Sequence, residues 1–475
     1  MRGTYSLAAS VALLLLGQQA GLTAQNLLVH GGTVVTSEGS FEADVLVRAG
    51  VIAAVGQDLS AESGVRRIDA SGLLVLPGGV DPHVHLGGRW VDDYRTGSMA
   101  ALAGGITTIS NFASAGRGSD LTEVIDRQAA LIAQQAIADV ILHTTINDPE
   151  AHAPQMGALA ATGQTSIKIF MNFGGFDPNA SAFLQMIAAA GDAGVLTMIH
   201  AEDASILANQ AAELEAQGRT SVAYQPEARP ALAEEVAMMR AVAMAEQTGS
   251  PVYAVHVSSE RALRVAQAAR ARGLPFFIET RPIYLHLTRE RFDGPDAGLY
   301  VGQPPLREQS DQDALWEALA NGTIDVVGTD HVAYSREDKL DPSQTITNHR
   351  AGMNHLQMLR PLLFSDGVLA GRISVERFVE VTATNPAKLF GIFPEKGTIA
   401  VGSDADLVLW DPEETRTVRD QDMLSATGFS IYAGWEVTGW PVVTLRRGEV
   451  VFEGGEITGQ AGTGRLLERS RWEER

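Results

Sequence analysis

Residues Leu76 to His85 read LPGGVDPHVH, and this stretch decides the fold, because it leads from an apolar strand into two closely spaced histidines. His83 and His85 stand two positions apart, and side chains two apart on an extended chain point to the same face. Two imidazoles on one face can bind one divalent cation. The pair alone is a weak signal, so further ligands have to be sought along the chain.

This stretch opens a long segment in which apolar strands alternate with helical patterns, for example over 121–136, 181–190, 231–247 and 259–271. Continuous apolar strands that alternate with helices predict an α/β fold with a parallel sheet covered on both faces. Eight such units predict a closed (β/α)8 barrel of the TIM type. The eight predicted strands are Leu73–Leu76, Ile106–Ser110, Val140–Thr145, Ser166–Phe170, Val195–Ile199, Val252–Val255, Pro275–Ile278 and Ile324–Val327.

Both ends of the chain carry short β-branched runs separated by Gly and charged turns. Such runs lie between residues 26 and 76, and again at Leu407–Trp410, Val442–Leu445 and Val450–Phe452. Because these segments flank the barrel in sequence, we expect them to pair into one small β-sandwich domain. The predicted boundaries are 25–76 and 396–460 for the β-domain, 77–395 for the barrel, and 461–475 for a charged tail on the surface.

Residues 1–24 have the pattern of a secretory signal. A single charge at Arg2 is followed by the apolar run Val11–Leu16 and by small residues up to Ala24. The pattern predicts that this segment is removed and that the protein is exported to the periplasm or the medium. A buried N-terminal helix is the alternative. A membrane anchor is disfavoured, because the apolar run is shorter than the roughly 20 residues of a transmembrane helix.

The composition excludes several classes of protein. The 475 residues include 57 Asp and Glu against 36 Lys and Arg, which gives a net charge of −21, and there is no cysteine. Without cysteine there is no disulfide scaffold, thiolate zinc site or iron–sulfur cluster. A strongly acidic chain is repelled by phosphate backbones and anionic lipid, so we expect no nucleic-acid or membrane partner.

Three more metal-competent residues extend the pattern that begins at His83 and His85. His200, His256 and Asp330 each stand at most three residues beyond the end of a predicted strand. The carboxyl ends of barrel strands meet at one mouth, where the active sites of such barrels form. The sequence therefore predicts that these five side chains converge on one metal site.

Lys168 lies inside the apolar strand Ser166–Phe170, where an unpaired ammonium is costly to bury. It either reaches the rim of the barrel, pairs with Asp330 or Glu279, or is modified by carbon dioxide. The resulting carbamate is an anion with two oxygens that can bridge two cations. The residues alone leave these alternatives open.

Eight motifs stand in a fixed order along the chain: LPGGVDPHVHL at 76–86, SIKIFMNF at 166–173, HAED at 200–203, VHVS at 255–258, PPLR at 304–307, GTDH at 328–331, NPAKLFG at 385–391 and KGTIAVGSDAD at 396–406. Together they resemble the cyclic amidohydrolases, and among them the D-hydantoinases and dihydropyrimidinases. The resemblance covers nearly all of the chain after residue 24.

The resemblance implies two divalent metal ions, usually zinc. His83, His85 and Asp330 would bind one ion and His200 and His256 the other, with N6-carboxylated Lys168 as the bridge. A hydroxide shared by the metals would attack a ring amide carbonyl, and Asp330, as the catalytic residue, would pass its proton to the leaving nitrogen. The family further implies a homodimer or homotetramer.

The expected surroundings of this site involve five residues. Phe173 stands where hydantoinase-like enzymes place a tyrosine, and Gln303 replaces the serine before the PPLR motif. Asn348 matches an asparagine that contacts the cyclic imide. Arg281 stands where relatives often have a small residue, and it either binds an acidic substrate or pairs with Glu279. His331, next to Asp330, is expected to support the ligands by a hydrogen bond.

The leading hypothesis is an exported binuclear-metal hydrolase that opens a cyclic amide, imide or ureide, a small-molecule substrate. A linear amide hydrolase on the same barrel, such as an N-acyl amino acid deacylase or a dipeptidase, is the alternative among enzymes. A non-catalytic assembly protein is disfavoured, because all six ligand positions are occupied by metal-binding residue types.

Overall fold

A computed structural model of the chain describes residues 26–60 and 64–472, and it contains the predicted barrel. Eight parallel strands follow one another in chain order, each hydrogen-bonded to the next. Nearly all their side chains are buried, as expected for strands covered on both faces. The strands are Gly79–Asp81, Ile106–Ser114, Asp139–Thr145, Ser166–Phe170, Leu196–His200, Val252–Ala254, Phe276–Thr280 and Val326–Val327.

Helices cover the outside of the barrel with their apolar stripes. Helix Leu121–Gln135 shows how they form: Asp120 caps its first turn, and Val124, Ile125 and Ile132 share the buried face. The α-helices of the described residues are Tyr94–Ala103, Leu121–Gln135, Pro149–His152, Met156–Ala161, Ala180–Asp192, Ala204–Ala216, Gln225–Ala228, Ala231–Thr248, Glu260–Ala271, Pro282–His286, Gln309–Ala320, Arg336–Lys339, Leu359–Leu363, Val375–Val379 and Asn385–Leu389.

The first barrel strand differs from the prediction. Leu73–Leu76 was expected to open the barrel, whereas strand Leu74–Pro77 belongs to the β-domain and the barrel begins with Gly79–Asp81. The sequence does not tell which sheet the strands Leu74–Pro77 and Gly79–Asp81 belong to, because the sheet of the β-domain and the sheet of the barrel both bury their strands. The change of sheet falls at Gly78, where a Cβ atom would lie 2.1 Å from Oγ1 of Thr107, so only glycine allows this close passage.

Side chains join the two ends of the barrel sheet. Thr329 donates from its backbone nitrogen to Oδ1 of Asp81 at 3.1 Å, and from its hydroxyl to Oδ2 at 2.6 Å. Just beyond, the short strands Val84–His85 and His331–Val332 pair in parallel. This closure brings the two histidines of the opening stretch beside Asp330.

The two ends of the chain form one β-domain, as predicted. The central strand Leu27–Thr36 pairs with Leu74–Pro77, which in turn pairs with Leu407–Thr417 from the other end of the chain. Apolar residues from both ends share one core. The nine strands of this mixed sheet are Leu27–Thr36, Gly39–Arg48, Val51–Gly56, Arg66–Asp69, Leu74–Pro77, Leu407–Thr417, Glu436–Arg446, Glu449–Glu453 and Glu456–Ile457.

A buried charge cluster fastens the β-domain to the amino-terminal end of the barrel. Nζ of Lys396 lies 2.7 Å from Oδ2 of Asp139, the first residue of a barrel strand. The same ammonium lies 2.8 Å from Asp404 and 2.9 Å from Asp406, and Arg447 also contacts Asp139. Each charge in this cluster therefore has an opposite partner, which buried ions require.

The end of the chain is not the surface tail that its charge predicted. Leu467 and Arg469 are buried, and the backbone of Leu467 donates to Val140 at 2.8 Å. Arg469 reaches into the barrel and donates to Oγ of Ser166 at 2.8 Å, because its guanidinium finds polar acceptors there. The predicted signal at 1–24 lies outside the described residues. Among those residues, no helix is both long enough and apolar enough to span a bilayer.

Candidate metal centre

The structure brings the six predicted ligands together at the carboxyl ends of the barrel strands. They line one cavity of about 270 Å³. Lys168 lies inside its strand, His200 ends its strand and His85 ends the short strand Val84–His85, while the other three lie on segments that follow strands. The fold thus gathers residues that are up to 247 positions apart in the sequence, the separation between His83 and Asp330. The six are His83, His85, Lys168, His200, His256 and Asp330.

The histidines and the aspartate form two groups. Nε2 of His83 and Nε2 of His85 each lie 3.2 Å from Oδ1 of Asp330. In the second group, Nδ1 of His200 lies 2.8 Å from Nε2 of His256. Nitrogen and carboxylate donors that converge in this way fit a divalent cation of the zinc type.

Carboxylates hold the outward-facing nitrogens of two of these histidines. Nδ1 of His83 lies 2.7 Å from Oε1 of Glu279, and Nε2 of His200 lies 2.7 Å from Oε2 of Glu202. Glu202 is itself ion-paired with Arg229, whose Nε donates to it at 3.0 Å. An imidazole that donates its outer N–H to a carboxylate presents a lone pair at its inner nitrogen. Burial lowers the pKa of both histidines, which favours that neutral form.

Lys168 is buried in this centre without an anionic partner among the described residues. Its Nζ lies 3.5 Å from Nε2 of His83, and the Phe112 and Phe170 ring centroids lie 5.3 Å and 5.2 Å away. Burial lowers the pKa of the amine to about 8. Neither ion pair considered from the sequence, with Asp330 or with Glu279, is formed. A buried amine in this state fits a group that becomes an anionic ligand by modification, and so it fits a binuclear centre.

Two of the six residues have unusual backbone conformations. His256 has a φ of 43° and Asp330 a φ of 49°, in the left-handed region that residues other than glycine seldom adopt. Such conformations cost of order 1 kcal/mol and persist where the surroundings impose them. Here they turn both side chains into the cavity at the ends of their strands.

Arg281 is paired with Asp330, and not with Glu279 as one of the two sequence hypotheses had it. Nη1 of the completely buried guanidinium lies 3.1 Å from Oδ2 of Asp330, and its Nε donates to the backbone oxygen of Thr329 at 2.9 Å. Burial opposes ionisation of Asp330, but Arg281 and the neighbouring His83 hold the pKa of its carboxyl well below the usual range. Arg281 is thus already engaged and does not line the cavity.

Of the other residues that the sequence placed around the site, only Gln303 lines the cavity. Gln303 lines the cavity, and its Nε2 lies 3.0 Å from Nε2 of His349. Phe173 and Asn348 are exposed and are not among the residues that line it. His331 lies behind the ligands, where its Nε2 is 2.9 Å from Oδ2 of Asp92.

Several residues that shape the cavity were not predicted. The Phe112 ring stacks on His85 with centroids 4.4 Å apart, and Trp90 lies against the same imidazole at 5.1 Å. Phe112 sits in an apolar strand and is indistinguishable in sequence from core. Glu202 did carry a signal, because it stands two residues after His200 and two-residue spacing puts side chains on one face.

The fold and this cavity define a class of protein: hydrolases with a divalent-cation centre at the mouth of a (β/α)8 barrel. Comparison with known proteins agrees. The model of the amidohydrolase family matches residues 74–451. The D-hydantoinase of Ralstonia pickettii is 35% identical over 462 residues, which cover 94% of this chain and 100% of the relative.

Solved structures give the same result. The D-hydantoinase of Bacillus sp. AR9 superposes with a TM-score of 0.90 and 36% identity, covering 94% of this chain and 99% of the other. The dihydropyrimidinase of Brevibacillus agri NCHU1002 has a TM-score of 0.90 and 34% identity over the same shares. The chain belongs to the amidohydrolase family, and within it to the hydantoinase and dihydropyrimidinase type. It is accordingly a hydrolase of carbon–nitrogen bonds.

Proposed function

We propose that this chain opens the ring of a cyclic amide, imide or ureide at a centre of two divalent cations, of which zinc suits the donors best. One observation carries the proposal: six metal-competent side chains from five of the eight barrel strands and the segments that follow them line a single cavity. Its volume of about 270 Å³ is near the lower end for small-molecule sites, roughly 300 Å³, and suits one five- or six-membered ring.

The contacts of each residue indicate its role in the proposed reaction. His83, His85 and Asp330 would hold one ion and His200 and His256 the other, with Glu279 and Glu202 orienting the imidazoles. When bound, the ions lower the pKa of water and polarise the carbonyl. Asp330 takes up the proton released as water adds to the carbonyl carbon, and it returns that proton to the nitrogen as the ring C–N bond breaks.

Lys168 is proposed to carry a carboxylate on its Nζ. The neutral amine attacks the carbon of CO₂, the N–C bond forms while one C–O π pair moves to oxygen, and a proton leaves to solvent. The product is an anion between the two ligand groups. It replaces an unpaired buried ammonium, which is costly in an apolar surrounding, by a charge that the cations compensate.

Phe173 is exposed, does not line the cavity and has no hydroxyl with which to contact the ring. A phenylalanine in that position cannot donate a hydrogen bond to the oxygen of the developing tetrahedral centre. The ring carbonyl therefore depends on other groups of the cavity wall. Gln303 is a polar side chain of that wall that can contact the substrate, and His349 holds its amide in place.

Export and assembly belong to the same proposal. The signal-like segment supports a periplasmic or secreted enzyme, and the family supports a homodimer or homotetramer. Cell fractionation followed by N-terminal sequencing of the mature protein tests the first point. Light scattering of the purified protein tests the second.

The experiment that tests the activity combines metal analysis with a substrate panel. The purified protein is stripped with a chelator, reloaded with zinc and assayed on hydantoin, dihydrouracil, an N-acyl amino acid and a dipeptide. We expect ring opening that is lost on stripping and regained on reloading. A preference for the linear amides would show that the substrate is a linear amide and not a ring. Full activity of the stripped protein would contradict the proposed metal centre.

A further inference from the structure

A second cavity, of about 520 Å³, lies beside the metal centre. Arg89, Gln303 and Ala351 line both cavities, so the two are adjacent. A ring held at the metal ligands would therefore have room for a substituent that extends past Gln303. The additional residues that line the second cavity are Tyr334, Asp338, His349 and Arg350.

The charge of this second cavity is unusual for so acidic a protein. Arg89 and Arg350 are both exposed and line this cavity, and neither guanidinium forms an ion pair within 4 Å in the part of the chain that the structure describes, although the charge of Arg350 acts on the exposed Asp341. Asp338 is the one carboxylate among its described lining residues, and Oδ2 of that carboxylate already accepts a hydrogen bond from Ser335 at 2.8 Å. Two cations thus face one engaged anion, in a chain whose net charge is −21.

Apart from Arg89, the polar groups at the border between the cavities are uncharged. Nε2 of His349 lies 3.0 Å from Gln303 and 3.3 Å from Gln225. Burial lowers the pKa of His349 to about 4, so the imidazole is neutral at neutral pH. The positive charge available to a substrate comes from the two arginines.

Arg281 does not provide an alternative cation for the substrate. Its guanidinium is completely buried and bound to Asp330, and a buried ion pair cannot release one partner without a large cost. Arg89, in contrast, lies over the Trp90 ring, with Cζ 5.5 Å from the centroid. Stacking of this kind leaves the five N–H donors of a guanidinium free to bind.

We propose that the second cavity binds a carboxylate carried on a short side chain of the ring, with Arg89 and Arg350 as the residues that select it. The inference rests on the proposed ring-opening function and specifies its substrate class. Guanidinium groups bind carboxylates through paired N–H donors, and such charge-assisted bonds are stronger than bonds between neutral groups. A neutral amide of the same shape forms only the weaker hydrogen bonds between a charged and an uncharged group.

The test compares two hydantoins that differ in one group, a propionate or a propionamide on the same ring carbon. For the zinc-loaded enzyme we expect kcat/KM to favour the acid by at least about tenfold, and the ratio to fall with added salt because exposed charges are screened. Arg89→Gln and Arg350→Gln should each reduce the ratio, and the double variant should bring it to about one.

Asp338→Asn should raise the ratio. Arg127→Gln removes the same charge from an exposed helix position outside the lining of both cavities, and it should leave the ratio unchanged. Equal hydrolysis of both rings by the unaltered enzyme, or an undiminished ratio in the double variant, overturns the inference and leaves the proposed function standing. Failure to open either of these rings by an enzyme that opens hydantoin or dihydrouracil overturns the inference alone, whereas failure on all of these rings overturns both.

Discussion

Nη1 of Arg281 lies 3.1 Å from Oδ2 of Asp330, while Oδ1 of the same carboxylate lies 3.2 Å from His83 and His85. The arginine thereby fixes which oxygen faces the histidines. One carboxylate is shared between a structural ion pair and the proposed metal-binding group. The orientation of Asp330 thus depends on a residue that does not itself line the cavity.

Arg281→Gln should lower kcat/KM on any ring substrate by about 100-fold, because Asp330 loses the contact that orients it. It should also lower the free energy of unfolding by about 3–5 kcal/mol, since a buried pair is broken. Steady-state kinetics and urea unfolding measure the two effects. Arg281→Lys keeps the charge and should recover part of both, whereas equal activity of all three proteins would remove Arg281 from any role at Asp330.

Lys168→Ala should abolish ring opening and reduce the zinc content, because the proposed bridging anion is lost. Native mass spectrometry should find the mass of one added CO₂ on the unaltered protein and not on the variant. The unaltered protein, stripped of metal in CO₂-free buffer, should regain activity with zinc only when bicarbonate is supplied. Full reactivation without bicarbonate would contradict the modification. Lys388→Ala, at a position of the chain outside the cavity lining, serves as the control.

Glu202→Gln should weaken zinc binding by about 10- to 100-fold, as loss of an outer carboxylate partner does at comparable sites. The change leaves His200 without an anionic acceptor and Arg229 without its counter-charge. Competition with a fluorescent chelator measures the affinity. Glu246→Gln breaks an exposed pair with Arg272 instead, and its zinc affinity should match that of the unaltered protein.

The cluster of Asp139 and Lys396 predicts how stability depends on pH. Burial would raise the pKa of the Asp139 carboxyl, but Lys396 and Arg447 lower it well below its ordinary value. A carboxyl whose pKa is depressed on folding contributes stability above its unfolded pKa, about 3.9, and loses that contribution as the pH falls through the folded value. Asp139 therefore stabilises the protein fully at pH 7 and progressively less below pH 4 or so.

Asp139→Asn should accordingly cost about 3–5 kcal/mol at pH 7, because two buried cations lose a partner. The difference from the unaltered protein should shrink as the pH falls below about 4. Chemical unfolding followed by circular dichroism at several pH values measures this. Asp126→Asn, at an exposed helix position, should show no such difference, and a constant penalty at all pH values would show that the charge is not responsible.

The sequence predicted the barrel and the set of residues at its mouth because both depend on local patterns. Apolar strands alternate with helices, and each ligand stands in a strand or shortly after its end. It could not assign Leu74–Pro77 to the correct sheet, because a strand buried in either sheet has the same apolar pattern. The partner of Arg281 was also out of reach, since the choice between Glu279 and Asp330 depends on loop geometry after two different strands.

The end of the chain shows the same limit in another way. Charge predicted an exposed tail, yet Arg469 is buried because Ser166 and the backbone of Leu142 offer it acceptors inside the barrel. Arg89 and Arg350 stand 261 positions apart in the sequence, and no spacing rule connects them. Their common cavity emerges only when the strand ends are assembled.

The sheet that joins Leu27–Thr36 to Leu407–Thr417 through Leu74–Pro77 bears on how the protein is made. A ribosome adds about 5–20 residues per second, so strand Leu74–Pro77 waits tens of seconds for its distant partner Leu407–Thr417. During that interval an apolar edge is open to pairing with other chains. Rapid synthesis at high temperature should therefore favour inclusion bodies, and slow expression in the cold should favour the folded enzyme.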